Sequence, residues 1–183
     1  DCLLSRGLGD VYKRQLYIGI SNFDTQQTKD AIAMFKDLHT PFVLNQFSYN
    51  MFNREAETSG LTKALQADGA GLIAYGPLSE GLLSDRYLNG IPDTFKIHPT
   101  NQATFAHGKD AVVKKLNELN EVAHDRGQTL TQMALAWLLR DPVVTSVIIG
   151  TTSVDHLEDN LKATENLTFS AEEISHIDSI LNV

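Results

Sequence analysis

Residues 16–24 read LYIGISNFD, a short apolar run that ends in polar residues. An apolar run of this length, rich in isoleucine and aromatic side chains, predicts a buried strand. Three later runs share this composition and also end in polar or glycine-bearing residues. The predicted strands are Leu16–Ile20, Phe42–Phe47, Gly71–Tyr75 and Thr145–Ile149.

Helical stretches separate these strands. Asp24 can cap the first helix and Ser170 the last, and Gly127 is typical of a helix end. The predicted helices are Thr25–Leu38, Leu61–Asp68, Lys114–Arg126, Leu130–Arg140, Val154–Ala163 and Ala171–Leu181. Strands alternating with helices predict an α/β fold with a parallel sheet, covered on both faces, whose sites form at the carboxyl ends of the strands.

The composition excludes several classes of protein. With 42% hydrophobic and 21% charged residues, the 183-residue chain fits a globular domain. A net charge of −8 argues against a nucleic-acid surface. No apolar run approaches the ~20 residues of a membrane span, and no secretory signal is evident, so we expect a cytoplasmic protein without a membrane partner. The single cysteine, Cys2, and the dispersed histidines give no metal-binding pattern.

One interval, residues 87–108, interrupts the alternation. It has no clear periodicity and is too long for an ordinary connection. A disordered linker and a lid over a ligand are both open interpretations. Arg86 and Lys96, beside and within the interval, favour the lid.

Five motifs in register resemble the aldo-keto reductases. The motifs are YIGISNF (17–23), NQFSYNMFNRE (45–55), LIAYGPLSEGLLSDRYLNGIP (72–92), TQMALAWLL (131–139) and VTSVIIGTTSVDHLEDN (144–160). The resemblance runs through residues 16–183 and is greatest to the branch of bacterial L-glyceraldehyde 3-phosphate reductases and potassium-channel β-subunits. It implies the C-terminal half of a (β/α)8 TIM barrel, with about four parallel strands and their helices.

Residues 1–15 stand outside this resemblance. The segment DVYKRQ (10–15) is similar to the translation of a transposon adapter end used in sequencing libraries. We therefore expect residues 1–15 to be foreign to the domain, and the natural gene to extend further upstream. A genuine but divergent N-terminal segment is the alternative.

The resemblance implies a site for a nicotinamide dinucleotide. Ser21, Asn22 and Gln46 occupy the positions that hold the carboxamide, and Tyr75 the position of the aromatic that stacks on the ring. From the residues alone, a core aromatic is the favoured interpretation of Tyr75. The loop matched to the pyrophosphate contains Gly76, Pro77, Leu78, Ser79 and Gly81, although a bare Gly-Pro turn is also common.

The adenosine end is expected after the last strand. Thr152 or Ser153 can cap the following helix, and Leu157 and Leu161 are expected to face the sheet. A solvated helix face is the alternative for its polar residues. The positions implied for the adenosine end are Gly150, Thr152, His156, Asp159 and Asn160.

The choice between NADPH and NADH depends on the cationic side chains that can reach the phosphates. Arg86, Tyr87 and Lys96 match positions at which the family approaches the phosphates, whereas Ser153 stands where many relatives carry arginine. The resemblance therefore implies NADPH, with NADH as an alternative.

The implied activity is NADPH-dependent reduction of a small aldehyde or ketone, of the L-glyceraldehyde 3-phosphate or methylglyoxal type. The family's Asp, Tyr, Lys and His catalytic group would lie upstream, so no catalytic residue is assigned here and the chain alone is expected to be inactive. A non-catalytic, cofactor-binding regulatory subunit is the alternative function, and assembly into a homo-oligomer stays open.

Overall fold

The computed structural model describes residues 16–181, so the interpretation of residues 1–15 lies outside the described range. The strands are β1 (Ile18–Ser21), β2 (Phe42–Ser48), β3 (Gly71–Tyr75) and β4 (Val144–Ile148). They form one sheet in the order β1-β2-β3-β4, and every neighbouring pair is parallel. The predicted α/β fold with four parallel strands is confirmed, with each strand end within two residues of its prediction.

The helices are α1 (Thr25–Asp37), α2 (Glu55–Thr58), α3 (Leu61–Asp68), α4 (Lys109–Asp125), α5 (Leu130–Leu139), α6 (Val154–Leu161) and α7 (Ala171–Leu181). Short 3₁₀ helices cover Asp85–Tyr87, Pro99–Asn101 and Lys162–Glu165. The four-residue α2 was not predicted, because it is too short to show a period. Helix α4 begins five residues before its predicted start, and the fully buried Val112 packs its extra turn into the core.

Local capping fixes where several helices begin. Asp24 and Gln27 form a reciprocal capping box at α1, as Thr129 and Gln132 do at α5. The predicted cap of α7 is confirmed, because the hydroxyl of Ser170 accepts a hydrogen bond from the Glu173 backbone N–H at 3.1 Å. Such caps satisfy backbone groups that the first helical turn leaves without partners.

Residues 87–108 are folded, and the disordered-linker interpretation is wrong. The ring of Phe95 lies between Tyr87 and Phe105, with centroid distances of 5.4 and 5.7 Å. Phe105 and Ile91 are buried in the main core. Aromatic side chains therefore bury this segment although its sequence has no helical or strand period.

The helices cover only one face of the sheet within residues 16–181. On that face Phe47, Leu72, Ala74 and Val144 are buried in the core. On the other face, one row of register partners is partly or fully exposed: Ser21, Gln46, Ile73 and Ser146. The expectation that both faces are covered is therefore not met among the described residues.

Helix α5 is the centre of the helical layer, with eight of its ten residues buried. Helix α6 lies at its side and has no buried residue. Leu157 and Leu161 are 40% and 58% exposed, so the expectation that they face the sheet is wrong. The physical reason is that α6 follows the outermost strand and meets α5 through its polar Asp159 instead.

A partly buried polar network attaches α7 to the segment after β2. The hydroxyl of the fully buried Tyr49 donates a hydrogen bond to Glu57, and Arg54 pairs with both Glu57 and Asp178. The guanidinium of Arg54 also lies 5.1 Å from the Trp137 ring centroid. Burial and the Glu57 carboxylate raise the pKa of Tyr49 far above its usual value, so its hydroxyl stays a donor.

A second ion pair attaches the start of α7 to the end of α4. Arg126, whose side chain is 3% exposed, pairs with Glu173 at 2.6 Å and lies 3.6 Å from the Phe169 ring centroid. Burial disfavours the charged form of Glu173. The Ser170 backbone N–H and the Arg126 guanidinium outweigh that effect and hold the pKa of the carboxyl below its usual value.

We expect Glu173→Gln to destabilise the chain at pH 7 by about 1 kcal/mol, because it weakens a charge-assisted bond to a buried guanidinium. The folded-state pKa lies below the unfolded value of about 4.3. The stabilisation is therefore complete above that value and is lost as the pH falls through the folded pKa. Urea unfolding at pH 7 and pH 3.5 measures this, with the exposed Glu158→Gln as control. A difference that does not change with pH would contradict the prediction.

Candidate functional site

Polar side chains meet where β1 and β2 end. Ser21, the last residue of β1, is the register partner of Gln46 in β2. Partner residues of parallel strands point to the same face about 4.8 Å apart, so both side chains lie on the uncovered face. The next residue, Asn22, donates its backbone N–H to the Gln46 carbonyl oxygen at 2.9 Å.

Tyr75, the last residue of β3, reaches the same place. Its hydroxyl donates a hydrogen bond to Asn22 Oδ1 at 3.0 Å, across the end of β2. Asn22 adopts a φ of +58°, a left-handed conformation that asparagine tolerates better than most residues. Tyr75 is half-buried and belongs to this polar group, so it is not a core aromatic. Ser21, Asn22, Gln46 and Tyr75 are called the strand-end cluster below.

The β3 loop, residues 76–84, follows directly. It contains four left-handed residues, Gly76, Ser79, Glu80 and Gly81, with φ between +49° and +85°. Internal turns use the N–H groups of Ser79 and Gly81. The N–H groups of Leu78 and Glu80 donate to no oxygen of residues 16–181. The loop therefore presents backbone donors, those of Leu78 and Glu80 among them, that an anion could use.

Buried residues on both sides hold the β3 loop. Pro77 is buried and Leu78 half-buried, and Leu82 and Leu83 are fully buried. From α5, the Thr131 hydroxyl donates a hydrogen bond to the Leu83 carbonyl oxygen at 3.3 Å.

Asn50 is a supporting residue that the sequence analysis missed. It is 3% exposed and donates Nδ2–H to the Gly76 carbonyl oxygen at 2.9 Å. Its Oδ1 accepts the backbone N–H groups of Phe52 and Asn53 at 2.9 and 2.8 Å. Asn50 therefore joins the segment after β2 to the first residue of the β3 loop. The available signal was an asparagine two residues after a strand, which is typical of a side chain that closes a turn.

Arg86 and Lys96 are exposed cations. Neither forms an ion pair within residues 16–181, so both stay available to an anion. Tyr87 has a different position, because it is half-buried and packs edge-on against Phe95.

The residues after β4 lie at the surface. Gly150, Thr152 and His156 are exposed, and Asn160 is half-buried. Of the two residues proposed as the cap of α6, it is Ser153 whose hydroxyl accepts the His156 backbone N–H, at 3.4 Å.

Asp159 has protein partners of its own. Its carboxylate accepts a hydrogen bond from Gln132 Nε2 at 2.8 Å and lies 3.4 Å from Lys162 Nζ. Asp159 therefore fixes α6 to α5, whereas His156 and Asn160 have side chains without such a partner among the described residues.

The β3 loop and residues 150–160 follow neighbouring strands, because Tyr75 and Ile148 are register partners at the ends of β3 and β4. Within residues 16–181 no hydrogen bond or ion pair joins the β3 loop to residues 150–160.

Residues 16–181 contain no group of three or more His, Cys, Asp or Glu residues that could hold a metal ion. No helix in the described part of the chain has the length and apolarity to cross a membrane.

Comparison with known proteins identifies the family. The model of the aldo/keto reductase family matches residues 15–182. The chain therefore belongs to the aldo/keto reductase family.

Two curated relatives agree with this assignment. The chain is 42% identical over 169 residues to an L-glyceraldehyde 3-phosphate reductase of Escherichia coli (strain K12), which covers 90% of this chain and 49% of the relative. It is 32% identical over 163 residues to a probable voltage-gated potassium channel subunit beta of Oryza sativa subsp. japonica, covering 86% and 49%. The chain thus spans about half the length of these relatives.

Two solved structures share the fold. A thermostable aldo-keto reductase in complex with the inhibitor epalrestat superposes with a TM-score of 0.70 at 32% identity, over 97% of this chain and 53% of that one. An aldo-keto reductase from Bacillus halodurans gives a TM-score of 0.68 at 24% identity, over 90% and 49%. The predicted fold class, half of a (β/α)8 barrel, is confirmed.

We expect Asn50→Ala to lower the free energy of unfolding by about 2 kcal/mol, because two backbone N–H groups lose their buried acceptor. Urea denaturation measures the change. Asn89→Ala is the matched control, because Asn89 is exposed and forms no side-chain hydrogen bond within residues 16–181, and we expect less than about 0.5 kcal/mol for it. An equal effect of both variants would show that the Asn50 contacts carry no stability.

Proposed function

We propose that the chain is the cofactor-binding part of an NADPH-dependent reductase of aldehydes and ketones. The observation that carries this proposal is the position of the strand-end cluster beside the β3 loop. Amide and hydroxyl groups suited to a carboxamide lie next to backbone donors suited to a phosphate. Family membership and 42% identity to an L-glyceraldehyde 3-phosphate reductase support a reductase.

The strand-end cluster fits the nicotinamide end of the cofactor. Because Asn22 Oδ1 accepts from Tyr75, its Nδ2–H group stays free to donate to the carboxamide oxygen. Ser21 and Gln46 supply a hydroxyl and a second amide, and the ring of Tyr75 supplies an aromatic face. When bound, the reduced nicotinamide supplies the hydride, while these residues orient the ring.

The β3 loop fits a pyrophosphate. Apart from the adjacent residues of the chain, no atom lies within 4 Å of the position that a Cβ would take at Gly76 or Gly81, so the backbone there is open to a ligand. The N–H groups of Leu78 and Glu80 supply donors without a charged side chain. In this proposal Pro77 and Ser79 shape the loop, and Tyr87 packs the segment that follows it against Phe95.

Charged and polar residues that follow the β3 loop and β4 along the chain suit the other half of the cofactor. Arg86 and Lys96 are placed on the 2′-phosphate in this proposal, and their unpaired charges are the reason to favour NADPH over NADH. The adenosine would lie along His156 and Asn160, with Gly150 and Thr152 at the turn before α6. The bond of Asp159 to Gln132 argues for an indirect role of Asp159, as a support of α6.

The proton donor and the substrate pocket are assigned to the other half of the barrel. Reduction of a carbonyl requires a proton on its oxygen as the hydride reaches its carbon. The resemblance places the tyrosine that supplies it outside this chain. The substrate we propose is a small aldehyde or ketone such as glyceraldehyde 3-phosphate or methylglyoxal. A cytoplasmic location and self-association stay predictions.

A cofactor-binding regulatory subunit is the second candidate. It is favoured by 32% identity to a probable potassium-channel β-subunit. Both functions require the same dinucleotide site, so binding alone does not separate them.

Turnover separates the two candidates. We expect a protein that combines this chain with the other half of a barrel to oxidise NADPH with methylglyoxal or glyceraldehyde 3-phosphate, followed at 340 nm. The 183-residue chain should show no activity. NADPH binding without turnover of either aldehyde would favour the regulatory subunit, and activity of the chain alone would contradict our placement of the proton donor.

We expect Arg86→Ala to weaken NADPH binding about tenfold and NADH binding less than twofold, because only NADPH carries the 2′-phosphate that the guanidinium would contact. Isothermal titration calorimetry with both cofactors measures the ratio. Lys63→Ala, which removes an exposed cation from α3, is the matched control. Equal losses for the two cofactors would assign Arg86 to the pyrophosphate and remove it as a determinant of cofactor choice.

A further inference from the structure

We propose that Asn101 is a positioning residue for the β3 loop, and that through Ser79 it holds the loop in its anion-binding conformation. This inference rests on the proposed function, because the anion is the pyrophosphate of a dinucleotide. Asn101 lies in the 3₁₀ helix Pro99–Asn101, within the segment for which the sequence left a lid or a linker open.

The contact between the two residues is direct and buried. The Ser79 hydroxyl donates a hydrogen bond to Asn101 Oδ1 at 2.7 Å. Ser79 is 2% exposed and Asn101 is 1% exposed, so water does not compete for this bond. The bond joins residues that are 22 positions apart in the sequence.

Ser79 and Glu80 adopt an unfavourable backbone conformation. Their φ angles are +49° and +59°, and two consecutive left-handed residues that are not glycine are uncommon. Successive N–H groups in such turns form a concavity that binds anions. Among the open N–H groups of the loop, those of Leu78 and Glu80 lie on either side of Ser79. If the φ of Ser79 returned to a favourable negative value, the N–H groups of Leu78 and Glu80 would move. The proposed phosphate site depends on these two donors.

The residue that caps this 3₁₀ helix contacts the β3 loop at a second point. His98 Nδ1 lies 3.5 Å from Glu80 Oε1, at the surface. Thus each of the two left-handed residues of the loop that are not glycine contacts a residue within 98–101. The aromatic contacts of Phe95 with Tyr87 and Phe105 hold this segment in the core, so Asn101 is itself fixed.

Among the described residues, only one of the two polar atoms in the side-chain amide of Asn101, Oδ1, has a hydrogen-bond partner. Its Nδ2 is buried and has no partner within residues 16–181. A leucine would fill similar space without leaving a buried donor unpaired, so packing alone does not account for an amide here. The need for a hydrogen-bond acceptor for the Ser79 hydroxyl does account for an amide at this position.

Five variants test the inference. Ser79→Ala and Asn101→Ala should each weaken binding of ADP-ribose, which carries the pyrophosphate, about five- to tenfold. The double variant should be no weaker than either single variant, because both remove one shared bond. Glycine adopts a positive φ freely, so Ser79→Gly should bind better than Ser79→Ala, and adding Asn101→Ala to it should change the affinity less than twofold.

A measurement without ligand decides the inference independently. Amide hydrogen exchange of residues 76–84 should become faster in Ser79→Ala and in Asn101→Ala, with α5 unchanged. The exposed neighbour Gln102→Ala is the matched control and should alter neither exchange nor affinity. If Asn101→Ala does not fold, Ser79→Ala tests the same bond by the loss of one oxygen atom.

The outcomes separate this inference from the proposed function. If the wild-type chain does not bind ADP-ribose but both variants loosen the β3 loop, the dinucleotide site is contradicted and the positioning contact stands. Unchanged exchange in both variants, or additive losses of affinity in the double variant, would overturn the inference even if the chain binds ADP-ribose well.

Discussion

Parallel pairing of the four strands in chain order is the constraint on which the rest of the structure depends. It brings all four carboxyl ends to one edge, so residues far apart in sequence become neighbours there. Ser21 and Gln46 meet as register partners, and Tyr75 reaches Asn22 across the intervening strand. An antiparallel arrangement would send alternate strand ends to opposite edges and divide this cluster. The chemistry of the site is therefore a direct result of strand direction.

The two faces of the sheet have different tasks. One face holds Phe47, Leu72 and Ala74 against the helices and supplies the hydrophobic core. The other face carries Gln46 and its row of partners, which are polar at three of four positions. Core packing and ligand chemistry therefore use alternate residues of the same strands. A substitution on one face can affect stability with little change at the site, and the reverse also holds.

The sequence predicted those features that depend on neighbouring residues. The strands and the caps at Asp24 and Ser170 need only local composition, and the structure confirms them. The features that it missed depend on distant partners. Asn50 and Asn101 act on residues 26 and 22 positions away, and nothing in either local segment marks the contact. The prediction that Leu157 faces the sheet was also wrong. The position of α6 beside α5 determines which side chains of α6 are exposed, and helical periodicity alone does not give that position.

The sheet order also has a consequence for how the chain folds. Each strand pairs with the next one along the chain, so the first two pairings close over short sequence separations and can form early. The pairing of β3 with β4 differs, because Tyr75 and Val144 are separated by the β3 loop, the aromatic segment, α4 and α5. Closing a longer connection costs more entropy. Among these four strands, β4 should therefore join last, after α4 and α5 have formed a surface on which it can dock.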